Sequence, residues 1–153
     1  LDGGFLGAEE ADYVPYIETC DKIHAQTNVA YGMFPNFITP TDTSGYPAIL
    51  FWPKGLKETE FEWTQLAPKW SGDEKPDYWN EQEVSFDSIM DEDFQNLEPM
   101  QRSHDSGVFE SMPLNYQERR IYYYHQVIDD WIGRDNLPEN IQVPNVLDPF
   151  IEA

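Results

Sequence analysis

The sequence has few basic residues and no long apolar run. Its 153 residues include 9 lysines and arginines against 29 aspartates and glutamates, which gives a formal net charge of −20. A charge of this sign repels phosphate backbones and anionic lipid headgroups, so we expect neither nucleic acid nor a membrane as a partner. No apolar run approaches the roughly 20 residues that span a bilayer, and the first residues lack the basic start of a signal peptide.

Cysteine is represented by Cys20 alone. One thiol cannot form an intrachain disulfide, and without a Cys-x-x-Cys pair the sequence offers no cysteine site for zinc or an iron–sulfur cluster. This composition predicts a cytoplasmic protein. The sequence also lacks an initiator methionine, a phosphate loop and a Ser-His-Asp order. From the missing methionine we expect the numbering to begin inside a longer gene product or after a removed tag.

Aromatic residues, by contrast, are plentiful. They make up 15% of the chain, and hydrophobic residues make up 40%. Disordered acidic segments are poor in aromatics because they cannot bury enough apolar surface to offset the loss of chain entropy. The sequence therefore predicts a folded chain, and its length suits one compact domain or part of one.

The first half of the sequence is rich in aromatic and β-branched residues. It predicts three strands, over residues 28–39, 46–52 and 58–66, separated by Pro- and Gly-containing turns. The third strand contains Glu60-Phe61-Glu62-Trp63, whose alternation is typical of a half-buried strand. Short turns imply an antiparallel meander. Proline cannot donate to a strand ladder, so we expect Pro35 at an edge or a bulge.

The second half has helical periodicity. After a predicted loop over residues 67–80, a helix is expected over 81–101 and another over 115–132. Asn115 with Glu118 three positions later forms a capping-box pattern, and Gly133 marks the end of the last helix. Its apolar stripe consists of Ile121, Tyr124, Val127, Ile128 and Trp131. The proline-containing tail is expected to wrap an edge. The fold class is therefore α+β, an antiparallel sheet packed by a long C-terminal helix.

Asp93 lies in the middle of the apolar stripe of the helix predicted over 81–101. The apolar members of that stripe are Phe86, Ile89, Met90, Leu97 and Met100. A buried carboxylate requires compensation, so we expect a cation, a cluster of backbone amides or a metal ion beside Asp93. A structural ion pair and a functional site are both open at this point. Pro99 predicts a kink just after Asp93.

The three histidines are weaker candidates. His24, His104 and His125 are not spaced at i, i+3 or i, i+4 from one another, as paired ligands on a helix would be. We expect them to be ordinary surface or core histidines.

Four segments, taken in order, match the pattern of one known family. They are Phe34-Pro35-Asn36, Phe51-Trp52-Pro53-Lys54-Gly55, the run from Glu92 to Arg102, and Asn115-Tyr116-Gln117-Glu118-Arg119-Arg120 followed by Tyr124-His125. Together they resemble the C-terminal part of the catalytic domain of the α subunit of Rieske-type aromatic-ring-hydroxylating oxygenases.

The resemblance implies a helix-grip (START/SRPBCC-like) fold and a site. It makes Asp93 the carboxylate ligand of a mononuclear Fe(II), with no catalytic residue independent of that metal site. It also places Phe34, Asn36, Phe86 and Ile89 on the wall of a substrate cavity, with ordinary core packing as the alternative. In the parent enzyme it implies a ferredoxin or reductase, a Rieske [2Fe-2S] cluster, O2 and an aromatic or other small organic substrate. A homotrimer is implied for intact α subunits. Dioxygenation, monooxygenation and demethylation are all open.

The ligands that the sequence lacks limit this interpretation. The family's cluster needs Cys-x-His and Cys-x-x-His pairs, and its iron needs two histidines in an Asp-x-x-His-x(4)-His segment; the chain contains neither pattern. Residues 1–153 are therefore expected to be a single domain or the C-terminal portion of the catalytic domain, inactive alone. Two alternatives are a non-catalytic helix-grip module that binds a hydrophobic ligand, and a structural subunit whose acidic surface mediates assembly.

Overall fold

The computed structural model describes residues 17–41, 43–109 and 111–145. The chain consists of two compact units, Leu1–Gln101 and Arg102–Ala153. Residues 1–24, for which the sequence predicts a loop leading into a short strand or helical turn, lie mostly outside the described part. The predicted α+β class is confirmed, because the chain combines a four-stranded antiparallel sheet with helices that include a C-terminal one.

The sheet is an antiparallel meander with one strand more than the sequence predicted. Its strands are β1 (Val29–Met33), β2 (Phe37–Thr41), β3 (Tyr46–Gly55) and β4 (Glu58–Leu66), in that spatial order. The prediction of a single strand over 28–39 was wrong, because a turn at residues 34–36 separates β1 from β2. Pro35 lies in that turn, where its missing N–H interrupts no ladder.

The register of β3 and β4 places their large apolar residues on one face. Phe51 pairs with Phe61 and Ile49 pairs with Trp63. Because neighbouring strand positions in register share a face, these four side chains point to the same side of the sheet. Ile49 is buried there.

The first unit also contains α1 (Lys22–Gln26) and most of α2 (Asp77–Asp105). Helix α2 begins earlier than predicted because Tyr78 and Trp79, assigned to a loop from sequence, are buried in its first turn. It continues through Pro99 to Asp105, and Gly107, with φ of 71°, provides the left-handed residue that favours a helix end. In the described part of the chain, no helix is long and apolar enough to cross a bilayer.

The second unit is organised by α3 (Arg119–Ile132), which follows a 3-10 turn at Tyr116–Glu118. The capping box is confirmed. The Asn115 side chain accepts from the N–H groups of Gln117 and Glu118, and the Asn115 N–H donates to the Glu118 carboxylate at 2.8 Å. Gly133, with φ of 86°, follows the last residue of α3 as predicted.

The apolar stripe predicted for α3 is not its buried face. Ile121, Tyr124 and Trp131 are exposed, whereas Gln126 and Asp129 are buried. The reason is the tail. After short 3-10 turns at Arg134–Asn136 and Glu139–Ile141, its residues Val143 and Asn145 hydrogen-bond to Asp129 and Gln126 of α3. The tail was expected at an edge, and its described end instead hydrogen-bonds to α3.

Candidate functional site

Two aromatic pairs hold α2 against β4. The rings of Trp63 and Phe86 lie 4.4 Å apart between centroids, and those of Phe61 and Phe94 lie 4.8 Å apart in an edge-to-face arrangement. The alternation of β4 makes this possible because it directs Phe61 and Trp63 to the same face. Such pairs add about 0.5–1.5 kcal/mol each beyond the area they bury.

A hydrogen bond adds a second contact between Trp63 and α2. The indole N–H of Trp63 donates to Oδ1 of Asp87 at 3.1 Å, while the face of the same indole packs on Phe86. One side chain of β4 therefore contacts two successive residues of α2. Phe61 is supported in turn by Phe51, whose ring centroid lies 5.5 Å away. The segment of α2 that leads to Asp93 is consequently anchored to the sheet.

Asp93 itself is exposed, which differs from the expectation of a buried charge. No hydrogen bond or ion pair with it occurs among the residues that the structure describes. The physical reason is that the apolar stripe around it is only partly covered. Phe86 is 3% exposed, but further along the helix Leu97 and Met100 are 54% and 52% exposed. In this chain the carboxylate therefore faces solvent and requires no compensating cation.

The four residues assigned to a substrate wall lie in two places. Phe34 and Asn36 belong to the turn between β1 and β2, where the carbonyl of Asn36 accepts from the N–H of Phe51 at 3.0 Å. Phe86 and Ile89 lie one turn apart on α2. Phe86 is buried against Trp63, and Ile89 is half-buried. An open hollow on α2 is lined by other residues, namely Asn80, Glu81, Val84, Ser85 and Ser88.

Sequence reasoning missed a polar chain at the start of the sheet. The Asp21 carboxylate caps α1, accepting from the N–H groups of Ile23 and His24, and lies 3.0 Å from His24 Nδ1. His24 Nε2 lies 2.6 Å from the hydroxyl of Tyr31 in β1. These hydrogen bonds, led by that from the His24 backbone N–H, lower the pKa of Asp21 below its ordinary value of 3.8. The seven-residue separation of His24 and Tyr31 gave no periodic signal, because it joins a helix to a strand.

The polar contacts between the C-terminal tail and α3 were also not predicted from the sequence. Val143 donates its N–H to Asp129 Oδ2 at 2.6 Å, and its carbonyl accepts from Arg134 at 2.8 Å. The Tyr122 hydroxyl donates to the Pro144 carbonyl at 2.7 Å, and the Gln126 amide donates to Asn145 at 3.0 Å. A sequence signal did exist, since Tyr122, Gln126 and Asp129 have helical i, i+4, i+7 spacing.

Comparison with known proteins decides the family. The model of the family described as "Ring hydroxylating alpha subunit (catalytic domain)" matches residues 9–134. The chain belongs to this family. No curated protein and no solved structure was found to match it. The α subunits of ring-hydroxylating oxygenases are non-haem iron enzymes, so membership implies iron, dioxygen, an aromatic substrate and electron-transfer partners for the parent enzymes of the family.

The described residues of this ring-hydroxylating α-subunit chain do not complete an iron site. Within residues 17–41, 43–109 and 111–145, no group of three His, Cys, Asp or Glu side chains is arranged to hold a metal ion. His104 packs beside Phe109, and His125 beside Tyr124, both in the second unit. A non-haem oxygenase site uses two histidines and one carboxylate. The described histidines are therefore not grouped with a carboxylate in such a set.

Proposed function

We propose that this chain is the C-terminal part of the catalytic domain of a Rieske non-haem iron oxygenase, and that Asp93 is its carboxylate iron ligand. The parent enzyme hydroxylates or demethylates an aromatic or other small organic substrate with O2. The observation that supports the proposal most is the position of Asp93. It directly precedes Phe94, whose ring packs on Phe61 of the sheet, while its own carboxylate makes no bond within the described residues.

This arrangement suits a ligand whose partners come from another segment. A metal ligand must be held at a defined point, yet its oxygen atoms must be available to the metal. The aromatic pairs hold the backbone of α2, and the exposed side chain of Asp93 leaves its oxygens accessible. Two histidines from elsewhere would complete the set of two histidines and one carboxylate. We propose no step through iron for this chain alone.

The substrate side of the proposal rests on four residues. Phe86 packs on the sheet, Ile89 lies one turn later on α2 and is half-buried, and Phe34 and Asn36 lie in the β1–β2 turn. We propose that they form part of an apolar wall that orients the substrate, within a helix-grip domain. Because Phe86 packs on Trp63, its contribution is to support that wall as well as to line it.

The remaining requirements of the reaction lie outside this chain's residues. Electrons would reach the parent enzyme from a ferredoxin or reductase through a Rieske [2Fe-2S] cluster, and the chain has none of the Cys-x-His pairs that bind such a cluster. We propose a cytoplasmic homotrimer for the assembled subunit. Residues 1–153 correspond in this proposal to the C-terminal portion of one catalytic domain.

Two measurements test the proposal. The first is anaerobic dialysis of the 153-residue chain against ferrous iron, followed by metal analysis and an oxygen-uptake assay. We expect neither stoichiometric iron nor substrate-dependent uptake, and one iron per chain with turnover would contradict the proposal. The second is the coding sequence upstream of Leu1, where we expect the two iron histidines and the Cys/His cluster pairs. A start codon at or near Leu1 would instead favour the ligand-binding module.

A further inference from the structure

We propose that Gln95 and Asn96 position the Asp93 carboxylate for its metal by holding the peptide bond that precedes it. This inference rests on the proposed function, in which Asp93 is the carboxylate ligand of the iron. The observation behind it is that two side chains converge on one backbone atom. Nε2 of Gln95 and Nδ2 of Asn96 each donate to the carbonyl oxygen of Glu92, both at 3.0 Å.

The Glu92 carbonyl belongs to the same rigid group as the backbone nitrogen and Cα of Asp93. A peptide group is planar, so its oxygen, its nitrogen and the two flanking Cα atoms move together. Within α2 this oxygen is also the regular acceptor of the backbone N–H of residue 96, four positions later. Two further donors therefore restrain the plane that ends at the Cα of Asp93.

The backbone on the other side of Asp93 is held by a ring. Phe94 follows Asp93 directly, and its ring packs on Phe61 of β4 with centroids 4.8 Å apart. The Cα of Asp93 thus lies between two restrained neighbours. Because aspartate has only two side-chain torsions, its carboxylate position follows from the position of Cα and a choice among few rotamers. Bonds from protein ligands to a metal keep to within about 0.2 Å of their usual lengths, so this restraint matters for binding.

The part of α2 after Asp93 lacks one regular helical hydrogen bond. Pro99 lies inside the helix and has no N–H, so the bond from residue 99 to the Gln95 carbonyl cannot form. Leu97 and Met100 are 54% and 52% exposed, so packing on the described residues adds little there. The two amides therefore restrain the backbone at Asp93 next to a stretch in which both the helical ladder and the packing are reduced.

The restraint is tested first on the 153-residue chain, without iron. The double variant Gln95→Met/Asn96→Leu removes both amide donors and keeps side chains of similar size. We expect the NMR order parameter of the Asp93 N–H, about 0.85 for a rigid backbone, to fall in this variant. Asn80→Leu removes an exposed amide about three and a half turns away on α2 and should leave it unchanged. An unchanged order parameter in the double variant would overturn the inference and leave the proposed function standing.

The effect on the metal is tested on the iron-containing full-length gene product. Loss of groups that orient metal ligands weakens binding about 10- to 100-fold, so the double variant should lose mononuclear iron to a chelator about tenfold faster. The electron paramagnetic resonance spectrum of the nitric oxide complex, which reports the geometry around the iron, should change as well. Asn80→Leu should keep the wild-type rate and spectrum.

A conservative variant separates positioning from a general loss of stability. Gln95→Met/Asn96→Ser restores a hydroxyl that can donate to the carbonyl four residues earlier, so both readouts should move back toward wild type. Circular dichroism checks the fold of every variant, and the single variants Gln95→Met and Asn96→Leu replace the double variant where it does not fold.

The outcomes distinguish this inference from the proposed function. Wild-type iron loss and an unchanged spectrum in the double variant, together with loss of iron in Asp93→Asn, would overturn the inference alone. Retention of mononuclear iron in Asp93→Asn would contradict the proposed function, and the inference with it.

Discussion

The ring of Phe94 meets that of Phe61 edge to face, with centroids 4.8 Å apart and planes inclined by 77°. The residue before Phe94 is Asp93, so the contact that attaches this part of α2 to the sheet lies one residue from the proposed ligand. The packing contact of Phe94 and the candidate ligand Asp93 are therefore adjacent in the sequence of α2.

This relationship predicts a measurable coupling between the two rings. Phe61→Leu and Phe94→Leu should each lower the free energy of unfolding, and the double variant should lower it by less than the sum. The expected coupling is about 0.5–1.5 kcal/mol, the usual contribution of an aromatic pair. Urea unfolding of the four proteins of the cycle measures it. Strictly additive effects would show that the rings are adjacent without interacting.

The hydrogen bond between Trp63 and Asp87 predicts that Asp87 contributes more to the free energy of unfolding than Asp91, a neighbouring carboxylate of α2. Asp87→Ala removes the acceptor of the Trp63 indole N–H and should cost about 1 kcal/mol of unfolding free energy. Asp91→Ala, one turn later and exposed, is the matched control and should have little effect. Tryptophan fluorescence under denaturant reports both. Equal losses in the two variants would contradict this assignment.

The lowered pKa of Asp21 predicts the direction in which the stability of the fold changes with pH. The backbone N–H of His24, and then its side chain, lower the folded pKa of Asp21 below 3.8. A lowered carboxylate pKa stabilises the fold at pH values above the ordinary pKa, and this contribution is lost as the pH falls through the folded pKa. Carbon-detected NMR titration of the Asp21 carboxyl measures the shift. In His24→Gln the pKa should rise but remain below 3.8, because the backbone bond is retained. An Asp21 pKa at or above 3.8 in the wild-type chain would be inconsistent with the observed cap.

In the second unit, we predict that the buried carboxylate of Asp129 holds the C-terminal tail at Val143. Asp129 is 7% exposed and accepts the N–H of Val143. Asp129→Ala should weaken protection of the Val143 amide by about 1–3 kcal/mol, the cost of leaving a buried donor unsatisfied. Hydrogen exchange at Val143 is the readout, and Asp135→Ala, an exposed position after α3, is the control. Unchanged exchange in Asp129→Ala would exclude this contact as the anchor.

Local sequence signals predicted much of the fold. The alternation of Phe61 and Trp63 in β4 was sufficient to place both rings on one face, and the Asn115–Glu118 capping box lies where its spacing indicated. Both features depend on residues a few positions apart. The same is true of Gly133 at the end of α3.

Which face of a helix is buried could not be predicted from local sequence, because it depends on which other segment packs on that face. Periodicity assigned Asp93 and Leu97 to an apolar stripe, but it could not tell whether another segment lies over that stripe. For α3, the buried side chains proved to be Gln126 and Asp129, because the tail packs on the polar face. The family resemblance identified Asp93 as a candidate from a motif, and the structure adds how its helix is anchored.

The most direct test of the account is the iron content of the full-length gene product with a single substitution at Asp93. We predict that Asp93→Asn loses most of its mononuclear iron while its iron–sulfur cluster spectrum is unchanged, because the proposed carboxylate ligand is replaced by an amide. Asp91→Asn, two residues earlier and also exposed, is the matched control and should keep its iron. Full retention of mononuclear iron in Asp93→Asn would contradict the assignment of Asp93 as the carboxylate ligand.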